Sequence, residues 1–358
     1  MLQRKKEIGF YIGTVVSCLV AMTVIVIAAL LIYDKLKTAA ADKQAESQEA
    51  LAPIEKQYGQ SEVDLMIEEA VNDAGQAGYT RGMESVLDQI ANDLASGKST
   101  AETLRPLYPD DLVVVSNGAF HFVPINENLK KHGLEQANVV VLDNGEMQYI
   151  QDGQVLSHKG IDVSKYQGKI DWQAVAADGV EFAIIRLGIR GYGEEGRIVL
   201  DDMFHTNVQG AQAAGIKVGV YFFAQAITVE EALEEAQFVL EQVSSYQLEY
   251  PIVYDVEKVS ASSGRMNKLS QAERTQVALT FMEAIKDAGY TPMLYANLEM
   301  MSVLIDVAQF EGYHKWYANY GSNLYFPYDF SIWQYSEKGK VNGIQGDVDL
   351  NISFVNEW

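Results

Sequence analysis

Pro251-Ile252-Val253-Tyr254-Asp255-Val256-Glu257 is the stretch from which the rest of this chain can be read. It is a short, β-branched apolar run that ends in two carboxylates at alternate positions, which is the pattern of a buried strand with a polar C-terminal end. Helical signals flank it. Thr228 and Glu231 upstream, and Ser270 and Glu273 downstream, form capping boxes that open a helix on either side. A helix, a buried strand and a second helix in that order are the repeat of a parallel βα unit.

Working outward from this unit, the same alternation recurs. Upstream lie apolar runs at Lys217 to Phe223, Phe182 to Leu187 and Gly160 to Val163, separated by helical stretches near 199–214 and from about Asp171. Downstream, Pro292 to Tyr295 leads into a helical stretch near 297–308. The runs His314 to Ala318, Phe330 to Tyr335 and Asp347 to Leu350 follow with no helical periodicity between them. About eight strands and five helices predict an α/β fold, an irregular TIM-like barrel whose last third has lost its helices.

Functional groups of such barrels collect at the C-terminal ends of the strands. Asp162, Asp255 and Glu257 fall near strand ends and Asp349 on strand eight, which neighbours strand one if the barrel closes, so the four would ring one opening. Unpaired buried carboxylates are costly in a core. Asp255 and Glu257, two apart on a strand, face the same side. Glycoside cleavage needs such a pair: a protonated acid at the leaving oxygen, and a negative group or nucleophile near the anomeric carbon. Adjacent like charges raise the pKa of one partner and keep it protonated. An Asp-x-Glu alone is a weak signal, because strand ends carry such pairs by chance. Tyr221, Phe223, Tyr295, Trp316, Trp333 and Tyr335 add aromatic rings at strand ends, either for sugar stacking or for ordinary core packing.

Taken together, the blocks resemble a known family. Gly160-Ile161-Asp162-Val163-Ser164-Lys165-Tyr166-Gln167-Gly168 with Ile170-Asp171-Trp172 is similar to the opening motif of glycoside hydrolase family 25, the Chalaropsis-type lysozymes. Phe182 to Arg186, Gly219-Val220-Tyr221, Tyr254 to Glu257, Trp333-Gln334-Tyr335 and Val348-Asp349-Leu350-Asn351 resemble the later blocks in the same order. The resemblance covers 159–358 and implies an N-acetylmuramidase acting on the β-1,4 bond from N-acetylmuramic acid to N-acetylglucosamine in peptidoglycan glycan strands. It implies Glu257 as general acid. It implies Asp255 as the second carboxylate, either orienting the substrate's acetamido group or stabilising the positive sugar, with Asp162 and Asp349 in support. Tyr221, Trp316 and Tyr335 look like sugar-contacting positions, and Arg186, Phe223, Tyr295 and Gln334 complete the expected substrate-binding set. Ser260 to Lys268 reads as an insertion beside the groove.

The first 158 residues lie outside the resemblance. Ile8 to Tyr33 is an almost unbroken apolar segment of about 26 residues, long enough as a helix to cross a ~30 Å hydrocarbon core. Arg4, Lys5 and Lys6 before it favour a cytoplasmic N-terminus and an exported bulk facing the cell wall. A signal peptide has a shorter apolar region, typically about 7 to 15 residues, and the lipobox-like Val15-Val16-Ser17-Cys18 is followed by more apolar sequence rather than by a polar mature end. The chain therefore divides into a cytoplasmic stub and transmembrane anchor (1–37), a spacer (38–60), a small α+β domain (61–157) and the barrel (159–358). In the small domain, Ser61 and Asp64 resemble a capping box, and Met83, Val86, Leu87, Ile90 and Leu94 recur at helical spacing. Asn117-Gly118 and Asn144-Gly145 signal two β-hairpins. A spacer or protein-interaction role is expected of it.

The composition narrows the functions further. A net charge of -22 repels phosphate backbones and argues against nucleic-acid partners. One cysteine permits no internal disulfide, and five scattered histidines lack metal-ligand spacing, so neither a metal nor another cofactor is expected. Gly191-Tyr192-Gly193-Glu194-Glu195-Gly196 matches a dinucleotide-binding pattern letter for letter, but two glutamates between its glycines would oppose a pyrophosphate. Three functions remain compatible: a muramidase, a related hydrolase of another N-acetylated glycan, and a non-catalytic glycan-binding or scaffold protein of a wall-spanning complex.

Overall fold

The computed structural model describes residues 60–260, 263–355 and 357–358. The apolar segment 8–33 and the spacer before Gln60 lie outside the described residues. Among the described residues, no helix is long and apolar enough to cross a membrane. The division between compact units falls between Thr103 and Leu104.

The first unit contributes one long helix, α1 (Gln60–Ala95), and most of a short one, α2 (Thr100–Leu104). Ser61, expected as a cap, lies within α1. The periodic residues Met83, Val86, Leu87 and Leu94 are helical as expected but exposed to solvent.

Both hairpins of the expected small domain form, yet they belong to the second unit together with the barrel. The first pairs β1 (Asp111–Ser116) with β2 (Ala119–Pro124). Its turn puts Asn117 at φ 50° and Gly118 at φ 78°, the two left-handed residues that a type I′ hairpin demands. The second runs from β3 (Val139–Val141) to β4 (Met147–Gln151), with β5 (Gln154–Val155) paired on β4. Leu112, Val114 and Met147 are buried in the same apolar cluster as the barrel's outer layer. Lys159 at the barrel's first strand also holds Glu146 at 2.5 Å. This packing, which local sequence cannot express, moves the boundary from about 157 to 103.

The barrel consists of β6 (His158–Val163), β7 (Phe182–Arg190), β9 (Lys217–Phe223), β10 (Ile252–Asp255), β11 (Pro292–Asn297), β12 (His314–Ala318), β13 (Ile332–Gly339) and β14 (Val348–Ser353). Pairing of β6 with both β7 and β14 closes it, and β8 (Ile198–Leu200) is added outside as a hairpin on β7. The expected parallel order holds from β6 to β13. The last strand departs from it: β14 runs antiparallel to both β13 and β6.

Four α-helices cover the outside: α3 (Trp172–Ala177), α4 (Phe204–Ala213), α5 (Val229–Val243) and α6 (Gln271–Asp287). Asp171, Thr228 and Ser270 cap three of them with their side chains, the last two at the positions their capping boxes announce. The fifth expected helix, near 297–308, is instead a π-type turn at Met300–Leu304 and a 3-10 turn at Val307–Phe310. The chain becomes extended at Ile305 between them, and the Asp306 carboxylate then starts the second turn by accepting from Ala308 N.

Alternate residues of each strand face in or out. Phe182, Ile184, Val253, Met293, Trp316 and Ile332 fill the barrel's inside, whereas Ile161, Ile185, Phe222, Tyr254, Leu294 and Trp333 pack outward. Gly160 is glycine for a steric reason: an added Cβ would lie 2.1 Å from the Phe182 ring that plugs the barrel floor.

Candidate active site

The interior filling stops being apolar one layer above Phe182, Val253 and Met293. There the inward positions become Asp162, Asp255, Asp349, Tyr221, Tyr295, Gln334 and Asn351. Asp162 and Asp349 are register partners on β6 and β14. Because β14 is antiparallel, its start lies at the same barrel end as the finish of the parallel strands. Asp349, near the beginning of its strand, thus meets Asp162, near the end of its own.

The hydrogen bonds around Asp162 form a frame. Its Oδ2 accepts from Gln334 Nε2 at 2.9 Å and Asn351 Nδ2 at 2.8 Å. Gln334 Oε1 accepts from the Tyr295 hydroxyl at 2.7 Å, and Asn351 Oδ1 accepts from Trp316 Nε1 at 2.8 Å. Both amides therefore have their orientation fixed by one donor and one acceptor each. Asn351 was not among the expected site residues. Only its adjacency to the Val348-Asp349-Leu350 block could have signalled it.

Asp255 is in a different position. It is 5% exposed, and its Oδ1 is buried with no hydrogen-bond partner. Burial and the charge of Glu257 push its carboxyl well above the usual range, against the opposing pull of Arg186. Glu257 is also raised, by burial first and the charge of Asp349, with a Tyr295 hydrogen bond opposing. Asp162 is raised by burial, which outweighs its hydrogen bonds. Asp349 is raised to about 9 by burial and the neighbouring Asp162. Four acids crowded into one mouth cannot all ionise, so protons are retained there at neutral pH.

Arg186 is the cation of the site. Its guanidinium pairs with Asp201 Oδ2 at 2.6 Å and lies 4.9 Å from the Tyr166 ring centre. Tyr221 is half-buried beside Trp316 and sits within the field of Asp162, Arg186, Asp255 and Asp349. Phe223 is the register partner of Asp255 and touches Tyr192 edge-on at 6.1 Å. Trp316 joins the site through its indole N–H, but at 2% exposure it offers little face to a ligand. Tyr335 does not join the site. It lies one residue past Gln334, faces outward, and is buried in the outer core toward Met147. Trp333 is outward for the same reason.

Exposed rings rim the mouth instead: Tyr166, Tyr192 and Tyr320 are each at least half exposed. Tyr192 and Tyr320 are raised by burial first, and both lie within the field of Glu257. They sit on loops, which carry no strand periodicity. Tyr192 lies in the glycine-rich stretch 191–196, whose backbone is already engaged within the protein: Gly191 N and Gly193 N donate to Arg197 O and Ser263 O at 2.9 and 3.1 Å. Gly193 O and Glu194 O accept from Arg265 at 3.3 and 3.0 Å. An anion site needs N–H groups left free for the ligand. Arg265 belongs to the stretch after β10 and thereby ties that insertion to the loop after β7. Among the described residues, no cluster of His, Cys, Asp and Glu is arranged to hold a metal ion.

A sequence profile of the Glycosyl hydrolases family 25 matches residues 161–344. The chain belongs to this family. It is accordingly a glycoside hydrolase, and β14 with Asp349 closes the barrel just beyond the matched residues. The uncharacterized protein YegX of Escherichia coli K12 is 30% identical over 203 residues, covering 54% of this chain and 68% of YegX. The autolytic lysozyme of Clostridium acetobutylicum is 28% identical over 194 residues, covering 54% of this chain and 55% of that protein. Among solved structures, the modular autolysin LytC of Streptococcus pneumoniae aligns with a TM-score of 0.50 at 24% identity. The alignment spans 67% of this chain and 57% of LytC, and it bears on the fold alone.

Proposed function

We propose that this chain hydrolyses peptidoglycan as a muramidase, cutting the β-1,4 bond between N-acetylmuramic acid and N-acetylglucosamine. One observation carries the reading: a buried, unpartnered carboxylate oxygen on Asp255, two residues before a second raised carboxyl on Glu257. An N-acetylated sugar brings an amide N–H that suits such an acceptor. The name of the autolytic lysozyme relative supports the same substrate class.

In this mechanism Glu257 is protonated at neutral pH and gives its proton to the leaving glycosidic oxygen. Asp255 accepts from the acetamido N–H and turns the acetamido carbonyl oxygen toward the anomeric carbon. That oxygen forms a bond to the carbon as the glycosidic bond breaks. The Glu257 carboxylate then takes a proton from water, whose oxygen opens the cyclic intermediate. Two displacements retain the β configuration. Asp162, framed by Gln334 and Asn351, supports the positive charge that develops on the sugar, and Asp349 holds a proton beside it.

The test is digestion of purified peptidoglycan by the full chain in detergent, then borohydride reduction and mass spectrometry. New reduced ends should carry muramitol. Glucosaminitol ends would move the cut to the other bond, and walls that are bound but left uncut would favour the scaffold reading. NMR should find the β-anomer first, and an initial α-anomer would reject retention.

The apolar segment 8–33 motivates a second part of the reading: the enzyme is tethered in the membrane and faces the wall. Protease shaving of intact cells should remove everything after about Lys37, and a protected C-terminus would overturn it.

A further inference from the structure

Lys258 follows Glu257 in the chain, and its ammonium is held by one residue that precedes the family-matched region and one within it. It donates to Asn117 Oδ1 at 2.7 Å and pairs with Glu299 Oε1 at 2.9 Å. Ser116 Oγ donates to the same Glu299 oxygen at 2.7 Å. Asn117 and Ser116 form the tip of the β1–β2 hairpin, and Glu299 follows β11. The body of the hairpin is fixed as well: Val113 N donates to the Tyr325 hydroxyl at 2.6 Å, on the segment between β12 and β13. The hairpin thus straps the chain beyond β10, β11 and β12 across one side of the barrel's polar end.

This strap is rigid for local reasons. Asn117 is at φ 50°, a conformation Asn tolerates better than other residues with a side chain, so the turn itself aims its amide. Leu112 and Val114 anchor the hairpin in the core. The Lys258 side chain is 33% exposed, so its pairing adds little stability in water. Its value is geometric.

We propose that the β1–β2 hairpin is a positioning element of the active site: through Asn117, Ser116 and Glu299 it fixes Lys258, and with it the backbone that carries Glu257. The inference rests on Glu257 acting as the acid. A misplacement of about 1 Å in a reacting group can cost on the order of a hundredfold in rate, and loss of one strap contact should cost a fraction of that.

The experiment uses the full chain on purified peptidoglycan, reading kcat, KM, the pH profile and the melting temperature. Asn117→Gly keeps the left-handed turn and removes the amide, Lys258→Met removes the ammonium, and Lys258→Arg keeps a cation. The first two should lower kcat about five- to twentyfold with KM within about twofold, and shift the alkaline limb of the profile. Lys258→Arg should recover most of the loss. Unchanged kcat and pH profile in both folded variants overturns the inference, as does a loss that only follows the melting temperature. Glu257→Gln is measured alongside. If it stays fully active, the acid assignment fails. If it is inactive while the strap variants behave as wild type, only the strap fails.

Discussion

Strand β10 carries carboxylate chemistry on both of its faces, and the two are treated in opposite ways. On the outer face, the Tyr254 hydroxyl donates to Glu235 Oε2 at 2.5 Å, and Arg190 Nε donates to Glu235 Oε1 at 2.8 Å. Glu235 is fully buried, and Tyr254, Arg190 and the Gln225 backbone N–H all help it bear a charge. On the inner face, one residue later, Asp255 is nearly as buried but keeps an unpartnered oxygen and faces other acids. Burial is the largest cause that raises both, Glu235 to about 7 despite its cation. What separates them is whether the remaining lone pairs are satisfied. A carboxylate that holds a fold is surrounded by donors, whereas one kept for a substrate is left short of them.

The largest expected effect lies on the inner face. Glu257→Gln should lower peptidoglycan hydrolysis by roughly 10²- to 10⁴-fold while wall pelleting and melting temperature stay near wild type. A variant that loses its fold instead would erase the distinction between the two faces. The outer face should respond the other way. Glu235→Ala leaves Arg190 buried without its main partner and should cost about 3–5 kcal/mol of stability, read by denaturant unfolding. A cost below about 1 kcal/mol would mean that this network is not structural.

Asp255→Asn sharpens the contrast. It should abolish most activity yet leave stability at pH 7 unchanged or raised, because it removes a buried acid that resists ionisation. Clear destabilisation would show that Asp255 also supports the fold.

Stability against pH follows from the same directions. The raised carboxyls of Asp162, Asp255, Glu257, Asp349 and Glu235 hold protons in the folded state that they release near pH 4 when unfolded. Their stabilising contribution is therefore complete below about pH 4 and is lost as pH rises through the folded values, about 9 for Asp349. Across the upper part of that window the melting temperature should fall, and Asp349→Asn should flatten the fall. An unchanged slope in that variant would remove Asp349 from the coupled set. The smallest effect belongs to Tyr254→Phe, about 1 kcal/mol, with little change in kcat.

The barrel and its carboxylates were legible because their signals are local. β-branched runs, capping boxes at Thr228 and Ser270, and the i, i+2 spacing of Asp255 and Glu257 report strand, helix and shared face without any distant contact. Strand parity was equally available for Tyr335, but an aromatic residue at a strand end reads the same whether it turns in or out. The register that pairs Asp349 with Asp162 is what puts Gln334 inside and Tyr335 outside. The rim tyrosines 192 and 320 carry no such signal, because loops have no periodicity to read.

The sequence by itself therefore determined the βα repeat and the gathering of four acids at strand ends of one barrel. Each of these follows from short-range patterning and from the cost of burying charge without purpose. Only the tertiary structure decided that β14 runs antiparallel, that Asp255 lacks a partner for one oxygen, and that the hairpin ahead of the barrel reaches the residue beside Glu257. Each depends on contacts between segments far apart in the chain, where chain direction, lone-pair satisfaction and packing are settled by the whole fold at once.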